Sequence, residues 1–146
     1  MIREKIIEYL KCVEFFKNFN SELLEYIADR IKLEKFEKRE FIFKEGTVGD
    51  KMYILIEGKV VLSKMDCDKE LVVRVLTPVC PVGEMAILDG EPRSLSVKSV
   101  SDETKVLSLS KDIFKKIVFE NPEIAFQIFK ILSMRLRDTN RQIEKK

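Results

Sequence analysis

The sequence predicts an α+β domain, mainly β, in which helices at both ends of the chain flank a compact antiparallel barrel or sandwich. Apolar residues recur at helical spacing in residues 1–32 and 111–146, whereas residues 33–110 carry short β-rich runs broken by turn residues. All five glycines lie in this middle region, at the breaks between runs. The chain is long enough for one buried core and shows no linker or repeat, so residues 1–146 are predicted to form a single domain.

Two amphipathic helices open the chain. The apolar positions at helical spacing are Ile2, Ile6, Ile7 and Leu10, followed by Leu23, Leu24, Ile27, Ala28 and Ile31. Asn20 or Ser21 is expected to cap the second helix. Charges interrupt residues 1–16 every few positions, which predicts neither a signal peptide nor a membrane span, so we expect a soluble, cytoplasmic protein.

The strands of the middle region are predicted from short runs of β-branched and apolar residues. These runs read FIF, MYILI, KVVL, LVVRVL, SLSVKSV and KVLSLS. After them, Ser110 is expected to cap a helix. Asn121 and Pro122 begin the last helix, with Asn as its cap and Pro in its first position.

The last helix carries apolar residues on more than one side. One set of residues in this helix is separated alternately by four and three positions, which is typical of a coiled-coil seam. These residues are Ala125, Phe129, Leu132, Leu136, Thr139 and Ile143. Ile124, Ile128 and Ile131 widen the stripe. We expect one side to pack on the barrel and the other to pair with a second subunit in a homodimer; the alternative is packing within one chain alone.

Composition argues against several function classes. The 27 Lys and Arg residues against 25 Asp and Glu leave a net charge of +2, so neither nucleic acid nor a membrane is an expected partner. The basic residues near the end predict a solvated helix face, because acidic Asp138 and Glu144 interrupt them; they are Arg135, Arg137, Arg141, Lys145 and Lys146. Cys12, Cys67 and Cys80 have no metal-like spacing and predict reduced thiols.

The chain contains no histidine. This removes the commonest metal ligand and the usual general base near neutral pH. We therefore expect no enzymatic activity, no metal and no cofactor, and a metal site housed in the barrel, as in cupins, is disfavoured.

An anion site is predicted between residues 83 and 96. Arg93 shares the inward face of a period-2 strand with Leu95 and Val97, and a charge there is costly unless an opposite charge meets it. Gly83 opens a predicted helical turn over residues 84–88, whose free amides would point at whatever lies in front of them. The site residues of this segment are Gly83, Glu84, Met85, Ala86, Arg93, Ser94 and Leu95.

Glu84 defines the kind of ligand. A carboxylate cannot share an anion with Arg93 without repulsion, so it must accept a hydrogen bond from another group. A phosphate beside a sugar hydroxyl satisfies both residues. The alternative is an internal Glu84–Arg93 ion pair that holds the turn together.

This segment resembles the phosphate-binding cassette of cyclic nucleotide-binding domains. The family pattern is Gly-Glu, a small and an apolar residue, then Pro-Arg-Ser/Thr/Ala before a strand, and it is matched by Gly83, Glu84, Ala86, Pro92, Arg93 and Ser94. Residues 45–60 look like the preceding hairpin of that family, with turns at Gly46, Gly49, Asp50 and Gly58.

The resemblance implies a jelly-roll barrel that binds cyclic AMP or cyclic GMP and signals through its C-terminal helix to a downstream protein not yet known. It assigns the ribose 2′-hydroxyl to Glu84 and the cyclic phosphate to Arg93 and Ser94. Thr139 and Asn140 stand where the bacterial catabolite activator proteins have a Thr-Ser pair that contacts adenine, which favours cyclic AMP.

Two departures from the family pattern are visible. Val79, Cys80, Pro81 and Val82 replace the usual approach to the Gly-Glu pair, and Leu95 stands where alanine is common. Overpacking a site built for a methyl group costs about 1–3 kcal/mol, so weakened or lost binding is the alternative to normal binding if the pocket does not relax around Leu95. The competing hypotheses are a structural or dimerisation module without ligand, and part of a transcription regulator in which a DNA-binding element would follow.

Overall fold

The structure is a computed structural model that describes residues 1–144. These residues form eight strands and five helices. In chain order they are α1 (Arg3–Leu10), α2 (Ser21–Arg30), β1 (Lys32–Glu37), β2 (Phe41–Phe43), β3 (Lys51–Glu57), β4 (Val60–Asp66), β5 (Lys69–Leu76), β6 (Cys80–Val82), α3 (Glu84–Asp89), β7 (Ser96–Ser99), β8 (Glu103–Ser110), α4 (Lys111–Glu120) and α5 (Pro122–Glu144). None of these helices is both long and apolar enough to cross a bilayer.

The strands form two four-stranded antiparallel sheets. Their orders are β1-β8-β3-β6 and β2-β7-β4-β5. Between the sheets lies an apolar cluster composed of Ile42, Tyr53, Leu55, Val60, Val82, Val97 and Val106. The α+β class and the antiparallel jelly-roll architecture are therefore confirmed.

Strand β3 is buried on both faces because the helices cover the outer side of its sheet. Tyr53 and Leu55 point into the sandwich, and the residues between and beside them, Met52, Ile54 and Ile56, belong to the helix-facing core. Side chains of a strand alternate between its two faces, so this one strand joins the two cores.

Two of the three predicted helix caps are confirmed. The Asn20 side chain accepts a hydrogen bond from the Leu23 amide at 2.9 Å, and the Ser110 hydroxyl accepts one from the Ile113 amide at 3.2 Å. The prediction that Asn121 caps α5 is wrong, although Pro122 does begin that helix. The Asn121 side-chain amide donates to the Ile117 carbonyl at 3.0 Å, a carbonyl that also accepts the Asn121 backbone amide at 3.0 Å, so the side chain turns back to the end of α4.

Helix α5 has one buried and one exposed side. Ile124 and Ile128 are buried against the core and Ile131 is half-buried, as expected for the side that packs within the chain. The seam residues Phe129 and Leu136 are 58% and 63% exposed. Pairing of this side with a second subunit stays a prediction.

Candidate functional site

A cavity of about 640 Å³ lies where the cassette faces strands β4 and β5 and helix α5. All seven residues predicted for the cassette line it: Gly83, Glu84, Met85, Ala86, Arg93, Ser94 and Leu95. Met85 and Ser94 are exposed, whereas Ala86 and Arg93 are buried. Folding thus brings the two ends of the segment to one place.

The backbone of the cassette is held by the loop between β2 and β3. The Arg93 amide donates to the Thr47 carbonyl at 2.8 Å, and the Arg93 carbonyl accepts from the Gly46 amide at 2.8 Å. Before it, helix α3 is closed by a bond at 3.0 Å from the Gly90 amide to the Ala86 carbonyl. These bonds position Arg93 opposite the first turn of α3.

The Arg93 guanidinium is buried with only 4% of the residue exposed. Its Nη1 donates to the Gly83 carbonyl at 2.7 Å, and its Nη2 donates to the Lys51 carbonyl. Its Nε has no hydrogen-bond partner in the described part of the chain. The Phe43 ring lies 4.0 Å from the guanidinium carbon, a cation–π contact. Arg93 is thus fixed by hydrogen bonds to neutral groups, and no carboxylate among residues 1–144 forms an ion pair with it.

Burial lowers the pKa of Arg93, and electrostatic attraction to Tyr53 and Asp50 raises it. The ordinary value of an arginine is so high that the side chain stays charged at neutral pH. A buried charge without a counterion is unfavourable. Among residues 1–144, the internal Glu84–Arg93 ion pair is not formed, since both Arg93 bonds go to carbonyls and Glu84 faces another arginine.

Two glycines allow the backbone to approach this guanidinium. A Cβ atom at Gly83, whose φ is +74°, would overlap Arg93 Nη1 and crowd the Phe43 ring. A Cβ atom at Gly49 would overlap the methyl group of Ala86 and lie 3.1 Å from Arg93 Cζ. Glycine is required at both positions because of this close packing.

Glu84 is paired with a residue that sequence reasoning placed on a solvated face. Arg135 Nη1 lies 3.6 Å from Glu84 Oε1, and Arg135 lines the cavity. The prediction of a solvated face is therefore wrong for Arg135, because the buried side of α5 brings it over the cassette. Of the other basic residues assigned to that face, Arg137 and Arg141 are exposed, and Lys145 and Lys146 lie outside the described residues.

Several cavity residues were not predicted from the sequence, among them an arginine and a cysteine. Arg74 on β5 and Cys80 on β6 both line the cavity. Burial raises the pKa of the Cys80 thiol, and Glu84 raises it further, so the thiol is protonated at neutral pH. The available signal for Arg74 was its position as the single charged residue in the apolar run of residues 71–76.

The structure does not place Thr139 and Asn140 at the cavity. Both are exposed, and the Thr139 hydroxyl donates to the Arg135 carbonyl at 3.0 Å. A helix advances about 1.5 Å per residue, so the turn that carries them lies beyond the cavity contact at Arg135. Leu95 does line the cavity, but it is only half-buried and the cavity stays open beside it.

No group of three metal-ligating side chains is present within residues 1–144. Residues 33–121 match the family described as the cyclic nucleotide-binding domain. The chain belongs to this family. It is a ligand-binding family, and the match includes the whole cassette.

Relatives of this cyclic nucleotide-binding domain include regulators and kinases. The chain is 28% identical over 137 residues to the CRP-like cAMP-activated global transcriptional regulator of Mycobacterium tuberculosis, which covers 93% of this chain and 61% of that protein. It is 29% identical over 118 residues to cGMP-dependent protein kinase, isozyme 1, of Drosophila melanogaster, and the match covers 79% of this chain and 15% of that kinase. The chain therefore spans only part of the length of these proteins.

A solved structure supports the same fold. The regulatory domain of Toxoplasma gondii PKA with cAMP superimposes with a TM-score of 0.75 at 29% sequence identity, covering 79% of this chain and 44% of that one.

Proposed function

We propose that this cyclic nucleotide-binding domain is a regulatory module that takes its ligand in the cavity beside Arg93. The observation that carries the proposal is the buried Arg93 guanidinium, which has a free Nε and no carboxylate partner among residues 1–144. The singly charged phosphate of a cyclic nucleotide supplies the missing anion. Ser94 and the first amides of α3 complete the phosphate contact.

Glu84 is the proposed partner of the ribose 2′-hydroxyl. Its side chain is 16% exposed, which leaves an oxygen accessible from the cavity while Arg135 stands beside it. A hydrogen bond with one charged partner contributes about 1.5–3 kcal/mol. Phosphate and ribose contacts together are then strong enough to select a cyclic nucleotide over a free sugar or an inorganic anion.

Cyclic AMP is the proposed physiological ligand. Support comes from two similar proteins whose names include cAMP, the mycobacterial regulator and the Toxoplasma regulatory domain. The sequence argument from Thr139 and Asn140 adds support only if α5 moves or a second subunit brings these residues to the base.

Cyclic GMP is the second candidate, and Arg74 favours it. With the phosphate at Arg93 and the ribose at Glu84, the remaining cavity wall of Leu62, Arg74 and Leu76 is left for the base. Guanine presents two adjacent acceptors, O6 and N7, that suit an arginine fork, whereas adenine pairs one acceptor with a donor. Substituting Arg74→Gln therefore lowers affinity for cyclic GMP more than for cyclic AMP if the guanine contact exists.

Signalling is proposed to pass through helix α5. The Glu84–Arg135 contact connects the ligand site directly to this helix. A ligand that uses Glu84 changes the energy of that contact and shifts the equilibrium of helix positions. The exposed seam residues Phe129 and Leu136 are the proposed homodimer contacts, and sedimentation of the Leu136→Lys variant tests them.

Calorimetric titration of the chain with cyclic AMP and with cyclic GMP tests the proposed function. We expect saturable heat for at least one nucleotide well below millimolar concentration and weaker binding of non-cyclic 5′-AMP. Arg137→Gln, an exposed arginine on α5, is the matched control and retains wild-type affinity. Absence of binding of both cyclic nucleotides at millimolar concentration refutes the proposal and leaves a structural module.

A further inference from the structure

Arg135 lies between two carboxylates that come from distant parts of the chain. Its Nη2 is 3.3 Å from Glu14 Oε2, and its Nη1 is 3.6 Å from Glu84 Oε1. Glu14 belongs to the segment between α1 and α2, whereas Glu84 begins α3. One guanidinium of α5 therefore connects the N-terminal segment to the cassette.

The N-terminal side of this contact is firmly held. Phe15, next to Glu14, is buried, and its ring lies 5.3 Å from the guanidinium carbon of Arg135. The Val13 carbonyl accepts hydrogen bonds at 2.9 Å from the amides of Phe16 and Lys17, which fixes the backbone around Glu14. Glu14 thus projects from a rigid turn.

The geometry of the guanidinium transmits this rigidity. Arginine is planar and its two terminal nitrogens diverge at a fixed angle. When Glu14 holds Nη2 and Phe15 covers one face, the direction of Nη1 is defined. That nitrogen is the one that faces Glu84.

We propose that Glu14 is a positioning residue for ribose recognition: it orients Arg135, and Arg135 in turn holds the Glu84 carboxylate in place to accept the ribose 2′-hydroxyl. This inference rests on the proposed function, since it concerns how the same site distinguishes a ribose. Glu14 does not line the cavity.

Removal of the Glu14 charge has two opposite effects on nucleotide affinity. Loss of a negative charge near the cavity strengthens binding of any anion, whether or not it carries a 2′-hydroxyl. Loss of orientation at Arg135 weakens only the bond from that hydroxyl. The ratio of the dissociation constant of a 2′-deoxy cyclic nucleotide to that of its ribose counterpart cancels the first effect and isolates the second.

The test is calorimetric titration of the full chain with cyclic AMP and 2′-deoxy cyclic AMP, or with the guanosine pair if cyclic GMP binds more tightly. In the Glu14→Gln variant we expect the deoxy-to-ribose ratio to fall by about two- to fivefold, the range for a partly exposed ion pair. Arg135→Gln lowers the ratio at least as much. The double variant matches Arg135→Gln alone, because Glu14 acts through Arg135.

Glu8→Gln is the matched control. Glu8 is an exposed carboxylate of α1 that pairs with Lys5, so its loss changes net charge equally and leaves the ratio unchanged. An unchanged ratio in Glu14→Gln, an equal fall in Glu8→Gln, or additive effects in the double variant overturns the positioning role. Failure of the wild-type chain to bind either nucleotide removes the proposed function as well, and the first titration shows it.

Discussion

Arg93→Gln separates ligand recognition from folding. The substitution removes a buried charge whose hydrogen bonds go to the carbonyls of Gly83 and Lys51. Loss of one member of a buried ion pair is costly because the other charge is left alone. No carboxylate in residues 1–144 is paired with Arg93, and glutamine still donates to one carbonyl, so we expect the melting temperature without ligand to change by a few degrees at most.

The effect on binding is much larger. Two charge-assisted bonds to the phosphate are proposed, one from Nε and one from the second N–H of a terminal nitrogen, and at about 1.5–3 kcal/mol each they amount to about 3–6 kcal/mol, which corresponds to at least a hundredfold loss of affinity. Ligand at 100 times the wild-type dissociation constant stabilises the wild type by about 2.7 kcal/mol and the variant by about 0.4 kcal/mol. For a chain of this size the melting temperature rises by about 5–10 °C in the wild type and by about 1 °C in Arg93→Gln.

Differential scanning calorimetry with and without nucleotide measures both quantities. Arg93→Lys serves as the second variant, because it keeps the charge but loses the fork that holds both carbonyls and a phosphate. We expect its ligand-induced rise to lie between those of the wild type and Arg93→Gln. A full rise in Arg93→Gln refutes the phosphate role, and a loss of folding in both variants shows that Arg93 is structural.

Three other substitutions or modifications test the environment of the site. Gly83→Ala is expected to destabilise the fold by about 1–3 kcal/mol in chemical denaturation, because its Cβ overlaps the Arg93 guanidinium at a positive φ; normal stability would contradict this packing. In a variant with the two exposed cysteines replaced by serine, the alkylation rate of Cys80 should reach half its maximum above pH 9.0, the ordinary pKa of a thiol, because burial raises the pKa of Cys80. Bound nucleotide should slow this alkylation, since Cys80 lines the cavity. A midpoint below pH 9.0, or no protection by nucleotide, would contradict this description of the Cys80 environment. Asp68→Gly in the two-residue turn between β4 and β5, where φ is +68°, is expected to stabilise the protein by about 0.5–1 kcal/mol; a lower melting temperature would show that the turn is not strained.

The secondary structure could be predicted mostly from local patterns. The helix caps at Asn20 and Ser110 and the β-rich runs depend on neighbouring residues, and the structure confirms them. The turn at Cys67 and Asp68 could not be recognised, because both residues adopt positive φ without the glycine that normally signals such a turn. The side chain of Asn121 does not cap α5 because its amide donates to the Ile117 carbonyl four residues earlier, a local bond that competes with capping.

The binding residues of the cassette could be predicted from the sequence, because Gly83, Glu84, Arg93 and Ser94 lie within one short segment. Their spacing restricts how far apart they can lie in the folded chain. Contacts between distant segments were not readable. That Arg135 stands between Glu14 and Glu84 depends on how α5 crosses the cassette. That Arg93 donates to the Lys51 carbonyl, and pairs with no carboxylate among residues 1–144, depends on how the cassette packs on the start of β3. The reason is physical: hydrogen-bonding propensity and side-chain periodicity are local properties, whereas the partner of a buried charge is decided by the packing of elements that are far apart in sequence.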